Sequence, residues 1–200
     1  MTDSPTPGRR ERKKAATRTS ILDAAIPLFL ERGFDAVTVR EIADSADVTP
    51  RTVFMHFPQK EALLFADEDL QHERLVAAVR DRAPGTPISA ALARHYLAEI
   101  DEMNSEASRR LLAIMEAAPS VLDYAEKMWI RHEHALVDEI TRELGLDSPS
   151  DEVRLYVRFA LQIQLVARRA PEPEATIAAG FALLDDGWNR YCRELGASSR

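Results

Sequence analysis

Cysteine and long hydrophobic runs are nearly absent from this chain of 200 residues. Cys192 is the only cysteine, so no disulfide can form within the chain, which agrees with a reducing cytoplasm. No stretch approaches the roughly 20 uncharged apolar residues that a membrane-spanning helix needs. The polar, basic N-terminal segment also lacks the apolar stretch of a secretory signal. We therefore expect a cytoplasmic protein with no membrane partner.

The sequence motifs of catalysis and of metal binding are missing as well. There is no glycine-rich phosphate loop and no nucleophile elbow. His132 and His134 stand two residues apart and would face different directions on a helix, unlike the four-residue spacing of a zinc-protease helix. The spacing of the other histidines favours no metal site. We expect no catalytic residue, no cofactor and no metal.

The charges are distributed unevenly along the chain. The net charge of −7 argues against nonspecific coating of nucleic acid. Residues 1–20 nevertheless carry six Lys or Arg side chains against two acidic ones, and the acidic excess lies further on. This basic segment, from Arg9 to Arg18, either reaches the minor groove or backbone of DNA or is a solvated tail.

Hydrophobic residues recur with helical periodicity throughout the chain, and no run alternates as a strand would. Gly33, Pro58 and the loop at residues 83–87 separate the first helical segments. The sequence therefore predicts an all-α protein. The predicted helices are 12–32, 38–46, 50–57, 59–82, 88–103, 105–118, 120–145, 151–169 and 174–195.

Two short predicted helices, 38–46 and 50–57, carry strong start signals. Thr38 and Glu41 form a T-x-x-E capping box, and Thr49 is a good N-cap with Pro50 at the first helical position. Between them, Asp47 falls where the chain must turn sharply.

The second short helix can divide its side chains between two faces. We expect Val53, Phe54 and Phe57 to point to the core, which leaves a polar and basic face outside. Two short helices joined by a tight turn, the second with such a face, form a helix-turn-helix that fits the DNA major groove. A structural helical hairpin is the simpler alternative.

The run from Ile21 to Leu64 resembles the tetracycline-repressor (TetR) family of bacterial regulators. The resemblance rests on Ala24-Ala25, Leu28-Phe29, Glu31-Arg32-Gly33-Phe34, Thr38-Val39-Arg40-Glu41-Ile42-Ala43, Val48-Thr49 and Phe57-Pro58-Gln59-Lys60-Glu61-Ala62-Leu63.

The resemblance implies an all-helical homodimer, with DNA-binding heads and a ligand cavity in each body. The expected domains are a flexible basic arm (1–11), a three-helix DNA-binding domain (12–58) and a larger helical ligand-binding and dimerisation domain (59–200).

The resemblance also implies which residues contact DNA. Arg51 and Thr52 are expected at base edges and Met55 at a thymine methyl, whereas Arg40, His56 and Lys60 are expected at phosphates. Thr38 and Thr49 are chiefly helix caps that can also touch phosphate. Phe54 stands where the family usually has Tyr, so one backbone contact is expected to be missing. Asp47 stands where the family often has Gly. The full set is Thr38, Arg40, Thr49, Arg51, Thr52, Met55, His56 and Lys60.

The body offers candidates for a ligand cavity and for a dimer interface. Met and aromatic side chains suit a small apolar or amphipathic effector, although ordinary core packing is the alternative for each. Helices 151–169 and 174–195 are apolar enough to build a four-helix bundle with a partner chain, an intramolecular core being the alternative. The cavity candidates are Met103, Met115, Met128, Trp129, His132 and Tyr156. The interface candidates are Tyr156, Phe159, Ile163, Val166, Ile177, Phe181, Leu184, Trp188 and Tyr191.

These features favour a sequence-specific transcriptional regulator, a repressor released from a near-palindromic operator in double-stranded DNA by a small effector. The alternatives are a constitutive DNA-binding regulator without effector and a helical-bundle enzyme.

Overall fold

The computed structural model describes residues 8–103 and 105–198, and within those ranges it holds nine α-helices and no strand. The all-α prediction is confirmed. No helix of the described ranges is long and apolar enough to cross a membrane. The helices are α1 (Arg9–Arg32), α2 (Val39–Ser45), α3 (Pro50–His56), α4 (Glu68–Arg80), α5 (Ile88–Glu102), α6 (Glu106–Ala117), α7 (Pro119–Glu143), α8 (Asp151–Ala167) and α9 (Pro173–Ser198).

The predicted long helix 59–82 is wrong, because the chain is interrupted before α4. A short 3₁₀ helix (Lys60–Leu63) is followed by a turn at residues 64–67. In that turn the carbonyl of Ala66 accepts a hydrogen bond of 2.6 Å from the Arg18 guanidinium, and the Phe65 ring stacks on Tyr124 at 5.1 Å. The guanidinium thus satisfies one carbonyl of the interrupted backbone and the ring contact packs the turn, neither of which periodicity could reveal.

The chain divides into two compact units. The first comprises the residues up to Asp67 together with Ser105–Ala125, and the second comprises Glu68–Asn104 together with the residues from Glu126 onward. The expected functional division at residue 58 stays a prediction. Of the predicted arm, residues 1–7 lie outside the described residues, and Arg9–Glu11 belong to the first turn of α1.

The core of the first unit forms where α1 meets the two short helices. Ile21, Ala25 and Phe29 lie on one face of α1 and are fully buried. Ile42 of α2 and Val53 of α3 complete the same apolar cluster. This core fixes α2 and α3 against α1 and leaves the opposite face of α3 outside.

The core of the second unit depends on a close approach of α8 and α9. A Cβ atom on Gly180 would lie 2.8 Å from Cγ1 of Ile163, so only glycine fits there. Ile177 and Phe181 of α9 are buried beside it, and the buried Tyr96 of α5 donates its hydroxyl to the Ala160 carbonyl at 3.2 Å. Gly187, on the same helix, has open space where a Cβ would be, so no close approach requires glycine there.

The predicted dimer stripe mostly faces the interior of its own chain. Tyr156, Ile163, Ile177 and Phe181 are buried, and Trp188 stacks on the Tyr156 ring at 4.2 Å. The four buried residues therefore do not form an outward face. Trp188, Leu184 and Tyr191 are half-buried against the same core, and their place in an interface stays a prediction. The large apolar side chains left exposed on α8 and α9 are Leu155, Phe159, Val166 and Leu183.

Candidate nucleic-acid interface and ligand cavity

The start of α2 is held by a reciprocal cap. The Glu41 N–H donates to the Thr38 hydroxyl at 3.3 Å, and the Thr38 N–H donates to the Glu41 carboxylate at 2.8 Å. Hydrogen bonds from the Thr38 hydroxyl and N–H, and then from Arg32, lower the pKa of Glu41 to about 2. The cap is therefore intact at neutral pH, as the capping box predicted.

The turn between α2 and α3 passes through a left-handed residue. Asp47 has a φ of 52°, and it is the only non-glycine residue with positive φ in the described ranges. The N–H of Val48 then donates to the Ala43 carbonyl at 2.9 Å, which closes the turn. Asp accepts this conformation better than most side chains, so the predicted sharp turn at Asp47 is confirmed.

The start of α3 is capped in the same way. The Thr52 N–H donates to the Thr49 hydroxyl at 3.2 Å, and the two hydroxyls lie 2.9 Å apart. Pro50 occupies the first helical position, where no N–H is needed. Thr38 and Thr49 therefore act as caps, and their contact with phosphate stays a prediction.

One face of α3 is buried and the other is open. Val53 and the adjoining Phe57 are 1% exposed, whereas Met55 is 74% exposed and Arg51 is exposed in the first turn. Phe54 is 49% exposed, so its predicted place in the core is wrong. An open helix face with Arg51, Phe54 and Met55 offers one guanidinium and two apolar groups to a partner.

Lys60 is engaged within the first unit. Its ammonium donates to the carbonyls of Phe34 and Val37 at 2.9 and 3.0 Å, and it lies 4.0 Å above the Phe34 ring centroid. An ammonium has three donors, so one is available for a phosphate. Lys60 fastens the segment before α2, whatever it contributes to DNA binding.

Arg18 is a positioning residue that sequence reasoning placed in the basic segment. Its guanidinium donates to the carbonyls of His56 at 3.1 Å and Ala66 at 2.6 Å, and lies 4.1 Å above the Phe57 ring. It thereby satisfies a carbonyl at the C-terminus of α3. No sequence signal distinguishes it from the arginines around it, because its partners are 38 and 48 residues away.

His56 and Arg40 differ in charge at neutral pH. Burial, followed by the nearby charges of Lys14 and Arg18, lowers the pKa of His56. His56 is therefore neutral at pH 7 and can offer a hydrogen bond to DNA, but little charge. Arg40 is exposed on α2 and always charged.

The second unit contains a small cavity of about 60 Å³. Four of the six predicted ligand residues lie at it, and their side chains come from the end of α5 and from α7. Leu75, Gln71 and Gln164 add to its walls, as do Glu102 and Arg168. The four predicted residues are Met103, Met128, Trp129 and His132.

Met115 and Tyr156 do not line this cavity. Met115 of α6 packs against the core of the first unit. Tyr156 is not among the residues that line the cavity and instead stacks on Trp188 within the second unit. Both corrections have one cause. The apolar face of a helix predicts that a side chain is buried, but it does not predict which core or cavity of the protein that side chain contacts.

Titratable groups meet at the cavity. The Nδ1 atoms of His72 and His132 lie 3.3 Å apart, and Nε2 of His95 lies 3.5 Å from a carboxylate oxygen of Glu99. Gln164 donates to the other Glu99 oxygen. Burial, then His72, Arg131 and His95, lowers the pKa of His132 to about 4. His132 is therefore neutral at pH 7.

Comparison with known proteins agrees with the helix-turn-helix geometry. Residues 21–66 match the family model described as "Bacterial regulatory proteins, tetR family". The matched segment begins at the buried Ile21 of α1, includes α2 and α3, and ends at Ala66 in the turn before α4.

Curated relatives extend the similarity beyond this segment. The HTH-type transcriptional regulator TcmR of Streptomyces glaucescens is 29% identical over 153 residues, which cover 72% of this chain and 68% of the relative. An HTH-type transcriptional repressor of Mycobacterium tuberculosis is 29% identical over 186 residues, which cover 88% of this chain and 95% of the relative.

The fold is also found among solved structures. SmeT, determined as a complex with triclosan, has a TM-score of 0.57 at 20% identity and covers 86% of this chain and 91% of its own. The members of the matched family are transcriptional regulators. The chain belongs to the tetR family of bacterial regulatory proteins and is a DNA-binding transcriptional regulator.

Proposed function

We propose that the chain is a dimeric repressor that binds a near-palindromic operator through α3 and is released by a small ligand bound in the second unit. The observation that carries the proposal is α3 itself. It is capped at Thr49, buried on the side of Val53 and open on the side of Arg51. A short helix held in this way fits the major groove with its first turn at the base edges.

The open face of α3 suggests how the operator is read. A guanidinium such as that of Arg51 pairs with O6 and N7 of guanine, and an apolar group such as Met55 packs on a thymine methyl. Thr52 is half-buried, and its hydroxyl shares a hydrogen bond with Thr49. Arg51 is therefore the strongest candidate for base recognition, and Arg40 for phosphate contact.

The outward apolar face of the second unit supports a homodimer. Leu155, Phe159 and Val166 lie on one stripe of α8 and are each at least half exposed, and Leu183 on α9 is 83% exposed. Large exposed apolar groups at helical spacing mark an interface. A twofold dimer presents two copies of α3, so the operator would consist of two inverted half-sites about 34–36 Å apart or a multiple of this.

A drug-sized effector fits into the cavity only if the cavity expands. Its 60 Å³ is far below the roughly 300–1,000 Å³ of sites for drug-sized ligands. Met103 and Met128 are flexible enough to make room. If this expansion on ligand binding lowers the affinity for DNA, the two binding events are coupled. Linkage then requires bound DNA to lower the affinity for the ligand by the same factor.

A regulator without an organic effector is the second candidate, and the small cavity favours it. Both candidates predict the same operator. They differ in whether any small molecule that binds the second unit changes operator affinity.

The test is selection of bound sequences from random DNA with the full chain. We expect an inverted repeat, and we expect Phe159→Glu to yield monomers that lose it, whereas Arg154→Glu, at an exposed polar position of the same helix, should not. An unrepeated motif bound by a monomeric wild-type chain would contradict the proposal.

A further inference from the structure

Two histidines that are far apart in the sequence face each other beside the cavity. His72 on α4 and His132 on α7 are 60 residues apart, and their Nδ1 atoms lie 3.3 Å from one another. The ring centroids are 4.9 Å apart. In this arrangement one ring donates a hydrogen and the other accepts it.

We propose that the His72–His132 pair binds one divalent transition-metal ion, zinc being the simplest case, with its open coordination positions directed into the cavity. The spacing fits. Two nitrogens bound to one tetrahedral zinc ion at about 2.0–2.1 Å lie about 3.3–3.4 Å apart. The ion would take the place of the shared hydrogen, and the ring that carried this hydrogen on Nδ1 would carry it on Nε2 instead.

The protein supplies only part of the coordination. Within residues 8–103 and 105–198, no three His, Cys, Asp or Glu side chains converge to form a metal site. The cavity that His132 lines has space for a few water molecules, at roughly 10–15 Å³ each, which can complete the shell. A bound ion with two or three waters fits 60 Å³, whereas a drug-sized molecule does not.

His95 is placed to become a third ligand. Its side chain is 10% exposed, it lines the same cavity, and its buried Nε2 makes no hydrogen bond to the described residues. A rotation about its side-chain bonds would turn it toward the pair. Glu99 lies 3.5 Å from Nε2 and would orient that nitrogen as a carboxylate commonly orients a metal-bound histidine, so His95 would bind the ion through Nδ1.

The charges around the pair are compatible with a cation. Arg131, whose charge affects His132, is paired with Glu68 at 2.7 Å and with Asp69 at 3.2 Å, so its charge is largely compensated. Arg168 also lines the cavity, together with Glu102. Glu99 adds negative charge at the cavity. Imidazole ligands prefer zinc, copper or nickel to magnesium or calcium, which prefer oxygen.

The experiment is metal titration of the tag-free full chain in a non-chelating buffer, with Zn(II) followed by calorimetry and Co(II) followed by visible absorption. We expect one ion per chain and no response to Mg(II). His72→Gln and His132→Gln should each weaken Zn(II) binding by more than the roughly 10- to 100-fold that changes to outer-shell partners produce. His134→Gln is the matched control, because His134 is exposed on the same helix, and it should bind like wild type.

Three results would overturn the proposal. They are a wild-type chain that binds no Zn(II), a His72→Gln variant that binds as tightly as wild type, and a His134→Gln variant that loses binding equally. Each result would show that His72 and His132 form a hydrogen bond but not a metal site. If His132→Gln fails to fold, the half-buried His72 decides the question, with circular dichroism as the check. No DNA is used, so failure here leaves the proposed repressor function untouched.

Discussion

The two units differ in how their polar groups are satisfied. In the helix-turn-helix the caps join residues three apart, Thr38 with Glu41 and Thr49 with Thr52. The second unit has a local cap too, at Ser150 of α8, but bonds between distant residues also cross it: Gln164 and Glu99 are 65 apart, and Ser89 and Asp185 are 96 apart. Local bonds define where helices begin, whereas distant bonds define which helices meet.

This difference between the units predicts where a substitution lowers stability most. A cap depends on one side chain and its own backbone, so its loss affects one helix end. A buried contact between α8 and α9 depends on two helices at once, so its loss affects the whole core of the second unit. We expect the largest effects on stability in the second unit and smaller ones at the caps of the first.

The largest effect should come from Gly180. Gly180→Ala places a Cβ 2.8 Å from Ile163 and should lower the free energy of unfolding by about 1–3 kcal/mol. Gly187→Ala is the control in the same helix, where nothing lies near the new Cβ, and it should gain up to about 1 kcal/mol. Urea denaturation measures both. Equal effects of the two substitutions would mean that α8 and α9 do not pack as described.

Lys60, like Arg18, makes long-range bonds within the first unit, so it tests whether such bonds contribute more to stability than a local cap does. Lys60→Met removes two charge-assisted hydrogen bonds and should lower the free energy of unfolding by about 2 kcal/mol. Arg40→Met, on the exposed side of α2, should change it by less than about 0.5 kcal/mol. Thermal unfolding without DNA separates the two, and similar melting curves would show that Lys60 stabilises nothing.

The cap of α3 should give a smaller effect. Thr49→Ala removes the acceptor for the Thr52 N–H and should cost about 1 kcal/mol of stability. Thr49→Ser keeps the hydroxyl and should stay close to wild type. Chemical denaturation checks the pair, and a loss in Thr49→Ser as large as in Thr49→Ala would assign the effect to the methyl group instead.

The smallest effect concerns charge at the DNA interface. Arg40→Ala should flatten the slope of log affinity against log salt by about 0.9 per phosphate contact, so roughly 2 for a dimer. His56→Gln should leave the slope unchanged at pH 7.5, because the lowered pKa of His56 keeps it neutral there. Affinity measured from low to high salt gives the slope of each variant. A flatter slope in His56→Gln would show that His56 becomes protonated when the protein binds DNA.

The accuracy of the sequence predictions follows the same division. Caps at Thr38 and Thr49 and the turn at Asp47 were predictable, because the residues that determine them are adjacent. The inward face of α8 was not, because Tyr156 and Ile163 are no more apolar than the outward Leu155 and Phe159. Periodicity identifies an apolar face but cannot say which partner covers it.

The ligand residues show the same limit. Met103 and Met128 line the cavity, whereas Met115, of the same type, belongs to the other unit, and ligand binding by any of them stays a prediction. His72 was not expected beside His132, because only folding brings α4 and α7 together over 60 residues. Phe54 was assigned to the core because it is apolar, yet it shares the open face of α3.

The most direct test of the account is the base preference of Arg51→Ala. Its affinity would be measured against the selected operator and against a panel of single-base variants of it. We expect Arg51→Ala to lose about 1–3 kcal/mol of binding free energy at the selected operator. Its base preference should be relaxed at one base pair in each half-site and kept at the others. An Arg51→Ala chain that folds like wild type and keeps its full base preference would show that α3 does not read the operator.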